Sequence, residues 1–320
     1  MSSSKGIMRS FFSLLVPAGA KQKLSVLIFH RVLPELDPLF PDEMHARRFD
    51  QVCGWLSSWL HVLPLDQAVA RMKAGTLPPH AACITFDDGY ADNFHVAMPI
   101  LKRHGLSATF FVATGFLDGG RMWNDTIIET VRASAAPALD FSAFGLGRHP
   151  NASVADKQAA ISALIGLIKY QSAEDRVAIT EQLAQLAGVK LPQDLMMCSH
   201  EVKALHHAGM QIGAHTVSHP ILARLTDDQA RQQIAASKTY LEQLLGQPIS
   251  LFAYPNGKPG EDYAPRTVDL VRSLGFDAAV STAWGASGQS DDLFQIRRFT
   301  PWDRTRLRFG ARLLANLRRS

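Results

Sequence analysis

Short apolar runs recur along this chain, with stretches of helical periodicity lying between them. The runs are Val26–Val32, Ala82–Phe86, Ala108–Thr114, Met210–Thr216, Ile249–Tyr254, Asp277–Thr282 and Phe294–Thr300. They are rich in Val, Ile, Phe and Thr and lack strict apolar–polar alternation, so each predicts a strand covered on both faces. The clearest helical patterns are Ala46–Leu60, Asn93–His104, Ser199–His207, Asp227–Leu245 and Asp262–Leu274. Thr226 and Ser199 stand where helices should start, and Gly105, Gly209, Gly246 and Gly275 where they should stop. This rhythm predicts an α/β fold, either a (β/α) barrel or a doubly wound sheet with helices outside. A length of 320 residues accommodates one such unit with insertions.

Residues 120–198 break the rhythm. They hold helical patterns at Asp125–Ala133, Val154–Tyr170 and Ala173–Ala187 but no clear strand. The expectation is a helical insertion between barrel strands, forming one wall of a cleft rather than a separate domain.

In parallel α/β folds the reactive groups collect where strands end. Here the first strand ends near His30, and the second runs straight into Asp87-Asp88-Gly89. A later one ends at His215-Thr216-Val217-Ser218-His219, the next at Tyr254-Pro255-Asn256-Gly257, and the last carries Arg297-Arg298. Desolvation and mutual repulsion oppose ionising two adjacent carboxylates at the mouth of a buried strand. A simple turn, with Gly89 at positive φ, does not account for the second acid. A bound cation or an activated base does. His215 and His219 are four apart, so one helical turn would bring both imidazoles to the same side. With one Asp they would make a two-histidine, one-carboxylate site suited to Zn²⁺, a donor set that Co²⁺, Ni²⁺ or Fe²⁺ also accepts.

Taken in order, Thr85-Phe86-Asp87-Asp88-Gly89 and His215-Thr216-Val217-Ser218-His219 resemble the polysaccharide deacetylases with a NodB-homology domain, carbohydrate esterase family 4. The resemblance spans residues 24–300. It includes Phe29-His30-Arg31-Val32 and the Phe252–Gly257 turn of exopolysaccharide-associated members. It implies a distorted (β/α) barrel and metal-dependent removal of N-acetyl groups from N-acetylhexosamine units of a polysaccharide or lipid-linked glycan. Asp88, His215 and His219 match the metal ligands, and Asp87 the general base that takes a proton from the activated water. The backbone N–H of Asn256 is the expected oxyanion donor. Tyr254 and Trp123 are the expected substrate contacts, Trp123 because it opens the insertion beside Asn124 and Asp125. Trp284 and Trp302 are further aromatic faces that could stack on sugar.

The chain departs from the family pattern twice. The arginine that orients the base in many members is replaced by Ala253, and Arg298, or failing it Arg297, is expected to take its place. No histidine follows His219 to serve as general acid. His30 is the best-placed substitute, although a structural role would also explain it. A related amidase acting on a small non-sugar C–N bond, or a barrel that binds glycan without turning it over, are the competing functions.

The net charge of +4 is modest, and no nucleic-acid partner is expected. Residues 301–320 concentrate six arginines against Asp303, with Leu307, Phe309, Leu313, Leu314 and Leu317 interleaved. This reads as a basic amphipathic helix, either lying on an anionic membrane or packed on the barrel. Cys53, Cys83 and Cys198 have neither metal-type spacing nor an even number, which suggests reduced thiols. In the 1–23 extension, Lys5 and Arg9 precede the apolar run Phe11–Val16, which is short for a signal peptide. An interfacial helix is expected there, with a cytoplasmic or inner-membrane-face location rather than secretion.

Overall fold

The computed structural model describes residues 22–318, so nearly all of the 1–23 extension and its expected interfacial helix lie outside the described residues. The strands are β1 (Ser25–Phe29), β2 (His61–Val62), β3 (Ala81–Phe86), β4 (Thr109–Val112), β5 (Ala138–Asp140), β6 (Arg148–Pro150), β7 (Gln211–Ala214), β8 (Leu251–Ala253), β9 (Ala278–Val280) and β10 (Arg298–Phe299). The main sheet runs β10-β1-β3-β4-β7-β8-β9, with every pairing parallel, and β2 adds to the start of β3. Ile296, just ahead of β10, bridges to Val280 at the end of β9 and brings the two edges of the sheet together. The result is a nearly closed parallel (β/α) barrel.

The helices are α1 (Ala46–Trp59), α2 (Leu65–Lys73), α3 (Met98–His104), α4 (Trp123–Ala133), α5 (Val154–Ile168), α6 (Ala173–Leu186), α7 (Ser199–His207), α8 (Asp227–Leu245), α9 (Pro265–Ser273) and α10 (Arg306–Arg318). A π-helical turn, Asn93–Ala97, leads into α3. The α7 and α8 bounds coincide with the expected ones. Thr226 caps α8 reciprocally with Gln229, and Gly246 ends it at φ +68°. Cys198 rather than Ser199 occupies the cap position of α7, its N–H bonded to Glu201, while Ser199 turns to Asp118.

Strand parity decides what faces the barrel interior. Leu27, Ile84, Phe86, Phe110, Val112, Ile212, Phe252 and Tyr254 join the core shared with the outer helices. Val26, Cys83, Phe111, Leu251, Ala253, Val280 and Ile296 form a separate inner cluster, plugged by Leu65, Ala68, Val69 and Met72 of α2. Phe111 fills the centre so closely that a Cβ on Gly213 would lie 2.4 Å from its ring. An alanine there would therefore force the barrel apart. The α2 helix went unrecognised in the sequence, although its buried residues keep an i, i+3, i+4, i+7 spacing.

The insertion is not wholly helical. Besides α4, α5 and α6 it contains the antiparallel hairpin β5–β6, whose three-residue strands are too short to leave a pattern. It packs on its own apolar cluster, including Ile127, Val131, Phe141, Ile161, Leu164 and Leu183. At the other end, α10 spends its apolar side on the barrel. Phe309, Leu313 and Leu317 are buried, and Phe309 packs on Trp55 and Trp59. The helix is thus packed on the barrel, with Leu307 as its one exposed large apolar side chain. No helix among the described residues is long and apolar enough to cross a membrane.

Candidate metal centre and active-site cleft

The strand ends at one rim of the barrel surround a cleft of about 730 Å³ lined by His30, Asp87, Asp88, His215, His219 and Asn256. Of the six non-glycine residues with positive φ among those described, Asp88, Thr216, His219 and Asn256 lie at this rim. Such conformations are costly and persist where the surroundings enforce them, which marks a site rather than a set of connecting turns.

Asp87 continues the inward parity of Cys83 and Thr85, so its carboxylate points into the barrel. Arg298 meets it there because Phe299 faces outward and its neighbour must face in. Both terminal nitrogens of Arg298 donate to Asp87, at 2.7 Å to each oxygen. Its Nε donates to the Ser281 carbonyl and Nη1 also to Thr85 Oγ1. Both side chains of the pair are almost fully buried. Burial alone would raise the Asp87 carboxyl, but the Arg298 charge, His215 and the hydrogen bonds outweigh it and hold it below the usual carboxylate range. Among the described residues no ion pair joins Arg297 to Asp87, so of the two candidate arginines Arg298 is the one against Asp87.

Asp88 sits at φ +78°, which swings its side chain away from Asp87 and toward the histidines. Its Oδ1 lies 3.4 Å from His215 Nε2 and 3.5 Å from His219 Nε2. That oxygen is buried without a hydrogen-bond partner. The three ligand atoms lie within 4.8 Å of one another. His215 is oriented by its Nδ1 against the Ala253 carbonyl at 2.8 Å, which leaves Nε2 free to ligate. Ala253 thus aims a ligand through its backbone.

Burial lowers the His219 pKa to about 4, keeping its imidazole neutral, the form a metal needs. An orphaned buried carboxylate oxygen facing two oriented imidazoles fits a divalent cation of the zinc type.

The histidine pair is not on a helical turn, as its spacing had suggested. Residues 215–219 form a bent loop with Thr216 at φ +65° and His219 at φ +52°. Thr216 Oγ1 accepts the His219 N–H at 3.1 Å, and Gln233 of α8 accepts the N–H groups of Val217 and Ser218. A loop pinned this way brings the rings to 4.8 Å between centroids.

His30 is exposed on the rim and held through its carbonyl, which accepts from Asn93 Nδ2 at 2.8 Å. It separates the cleft from an adjoining cavity of about 400 Å³ that reaches Tyr90, Asp125 and Trp302. Asn256 lines the cleft at φ +56°, and its N–H has no partner among the described residues. Trp123 also lines the cleft, with the Arg176 guanidinium over its ring.

Tyr254 is a correction. It is fully buried, stacks on Tyr263 at 3.9 Å and donates its hydroxyl to the Phe294 carbonyl, so it cannot touch substrate. Parity turns it outward to the helices while Ala253 faces in.

Sequence reasoning missed two sets of residues. One is the buried chain in which Arg31 lies over Tyr90 and the Tyr90 hydroxyl donates to Asp125 at 3.0 Å. The other is Lys169, Arg176 and Arg224 on the cleft wall. The first had a local signal in Arg31 and Tyr90, which flank motif residues; the second is assembled from distant segments and had none.

A profile of the family described as polysaccharide deacetylase matches residues 74–137 and 154–279. YxkH of Bacillus subtilis (strain 168), named for the same activity, is 21% identical over 278 residues, covering 86% of this chain and 70% of that protein. The structure of the Streptococcus pyogenes deacetylase PplD in complex with acetate superposes with a TM-score of 0.59 at 20% identity, covering 88% of this chain and 92% of PplD. IcaB from Ammonifex degensii gives 0.59 at 18% identity, covering 92% and 97%. The matched segments carry Asp87, Asp88, His215, His219 and Asn256, whereas His30 and Arg298 lie outside them. The chain belongs to the polysaccharide deacetylase family with a NodB-homology fold, hydrolases that act on carbon–nitrogen bonds other than peptide bonds.

Proposed function

We propose that the protein removes N-acetyl groups from N-acetylhexosamine units of a glycan, releasing acetate and a free amine, in a metal-dependent reaction with Asp87 as general base. The observation that carries this reading is the orphaned Asp88 Oδ1 between His215 and His219, one residue from a carboxylate locked by Arg298.

Asp88, His215 and His219 would hold the cation, with zinc favoured by the donor set. When bound, such a cation polarises an acetamide carbonyl and lowers the pKa of water within reach. Asp87 is ionised and fixed by Arg298, so it can take a proton from the attacking water without reorienting. As the carbonyl carbon becomes tetrahedral, negative charge develops on its oxygen, and the Asn256 N–H would donate to it. The C–N bond then breaks, and the leaving nitrogen needs a proton. His30, the rim histidine that ligates nothing, is the group assigned to give it. Trp123 would face the apolar side of a sugar ring.

Metal analysis combined with acetate release from chitooligosaccharides tests the proposal. Bound metal with acetate release supports it. Metal without release from any N-acetylated glycan would turn the reading toward an amidase, and a protein that binds glycan but no metal would be a non-catalytic barrel.

A further inference from the structure

Three cationic side chains stand on the wall of the cleft that holds Asp87 and Asp88, and none has a carboxylate partner among the described residues. Lys169 follows α5, Arg176 belongs to α6, and Arg224 closes the short turn after the His219 loop. Arg176 is only 8% exposed, and its guanidinium lies 5.1 Å from the centre of the Trp123 ring. Its Nε is buried with no hydrogen-bond partner. Arg224 reaches Tyr170 through its ring, at 5.2 Å, and through its carbonyl, at 3.4 Å. Lys169 Nζ lies over the same ring at 4.6 Å.

Three of the acids that share the cleft are occupied elsewhere: Asp87 is held by Arg298, Asp88 faces the histidines, and Glu261 pairs with Lys258 at 2.6 Å. Asp262 accepts the Lys258 N–H at 2.9 Å and lies near enough to Arg224 for the two charges to interact, without forming an ion pair with it. Burial and the charge of Arg224 both lower the Arg176 pKa, so its surroundings resist the charge it carries. A guanidinium whose Nε is buried and unsatisfied, beside a second guanidinium, costs stability that a bound anion would offset.

We propose that Lys169, Arg176 and Arg224 bind a phosphate group of the substrate, so that the acetylated sugar is presented as a glycosyl phosphate or diphosphate. A carboxylate brings one charge and two oxygens, enough for a single guanidinium fork. A phosphate ester offers more oxygens and, as a diphosphate, more charge, which suits two forks and an ammonium. With Trp123 under Arg176, the wall would take the sugar face and the phosphate side by side. This inference rests on the deacetylase reading for the identity of the sugar but not for the anion site itself.

The first test is calorimetric titration of the dialysed, metal-free protein with inorganic pyrophosphate. Binding that weakens tenfold or more in Arg176→Met and in Arg224→Met, and is largely kept in Arg176→Lys, supports the site, provided thermal melts show each variant folded. Equal binding in wild type and both methionine variants overturns it. Glucuronate competing as strongly as pyrophosphate would overturn the phosphate assignment.

The second test uses the metal-loaded enzyme and compares acetate release from chitotetraose, N-acetylglucosamine 1-phosphate, UDP-N-acetylglucosamine and a polyprenyl diphosphate N-acetylglucosamine. The phosphate-bearing sugars should lead in kcat/KM by tenfold or more, and that ratio should fall toward one in Arg176→Met. The best of them identifies the carrier, and a preference for chitotetraose overturns the proposal. No acetate from any of the four would sink the deacetylase reading, while the pyrophosphate titration still decides the anion site.

Discussion

Arg298 grips Asp87 through two 2.7 Å hydrogen bonds across 211 residues of sequence, from the last strand of the barrel to the second long one. The bidentate geometry fixes the plane of the carboxylate and keeps it ionised in a buried setting. Arg298→Met should therefore lower kcat by roughly a hundredfold or more. It should also destabilise the fold by about 3–5 kcal/mol, since a buried charge loses its partner. Arg298→Lys should recover part of the stability but less of the rate, because an ammonium cannot fork. Steady-state rates and urea melts on the three proteins check this. A methionine variant with near wild-type kcat would remove Arg298 from the catalytic arrangement.

His30 ligates nothing and stands between the cleft and the adjoining cavity. If it protonates the leaving amine, His30→Ala should lose about a hundred- to ten-thousandfold in kcat while binding metal as the wild type does. Its anchoring carbonyl is backbone, so the Asn93 contact survives the change. Activity within a few-fold of wild type, at intact metal content, would rule the assignment out.

The strand ends were legible because parallel strands must be apolar on both faces, so a charged residue at the end of such a run stands out. Asp87, Asp88, His215 and His219 were found in that way. The choice of Arg298 over Arg297 follows from parity once Phe299 is known to face outward, yet no local pattern marks which arginine closes on Asp87. That pairing depends on barrel closure, with β10 only two residues long. Tyr254 misled because it adjoins a site turn; parity, applied from Ala253, would have turned it into the core. The spacing of His215 and His219 suggested a helix, but Thr216 and Gln233 achieve the same convergence with a loop. The hairpin β5–β6 and the Lys169–Arg176–Arg224 wall are products of tertiary packing and leave no periodicity to read.

Asp88 offers a test that needs no substrate. Its Oδ1 has no hydrogen-bond partner, and burial opposes its charge, but His215 and His219 at 3.4 and 3.5 Å outweigh burial and hold the carboxyl below the usual carboxylate range. Asp88→Asn should then be less stable than wild type without metal at neutral pH. Added zinc should raise the melting temperature of wild type only, by an amount equivalent to about 2.7 kcal/mol at a hundred times Kd. Equal zinc stabilisation of both proteins would place the metal elsewhere.

Asp125 predicts a pH signature of its own. Burial raises its carboxyl to about 7, with Arg31 and the Tyr90 hydroxyl opposing that shift and the Asp88 and Glu129 charges adding to it. The folded protein therefore keeps this proton where the unfolded chain, with an ordinary aspartate pKa of about 3.9, has released it. Between those values the native state binds more protons than the unfolded state, so this contribution to stability is complete in acid and is lost as pH rises toward 7. Asp87 and Asp88, whose pKa values are lowered, act in the opposite direction, so the signal must be read as a difference between two proteins. Asp125→Asn keeps an acceptor for the Tyr90 hydroxyl and removes the titration. In metal-free protein, the stability of wild type relative to Asp125→Asn should fall by up to about 3 kcal/mol between pH 4 and pH 7. Urea melts at half-unit pH intervals would show it. Parallel curves for the two proteins would mean that Asp125 is ionised throughout, held by Arg31 rather than by its proton.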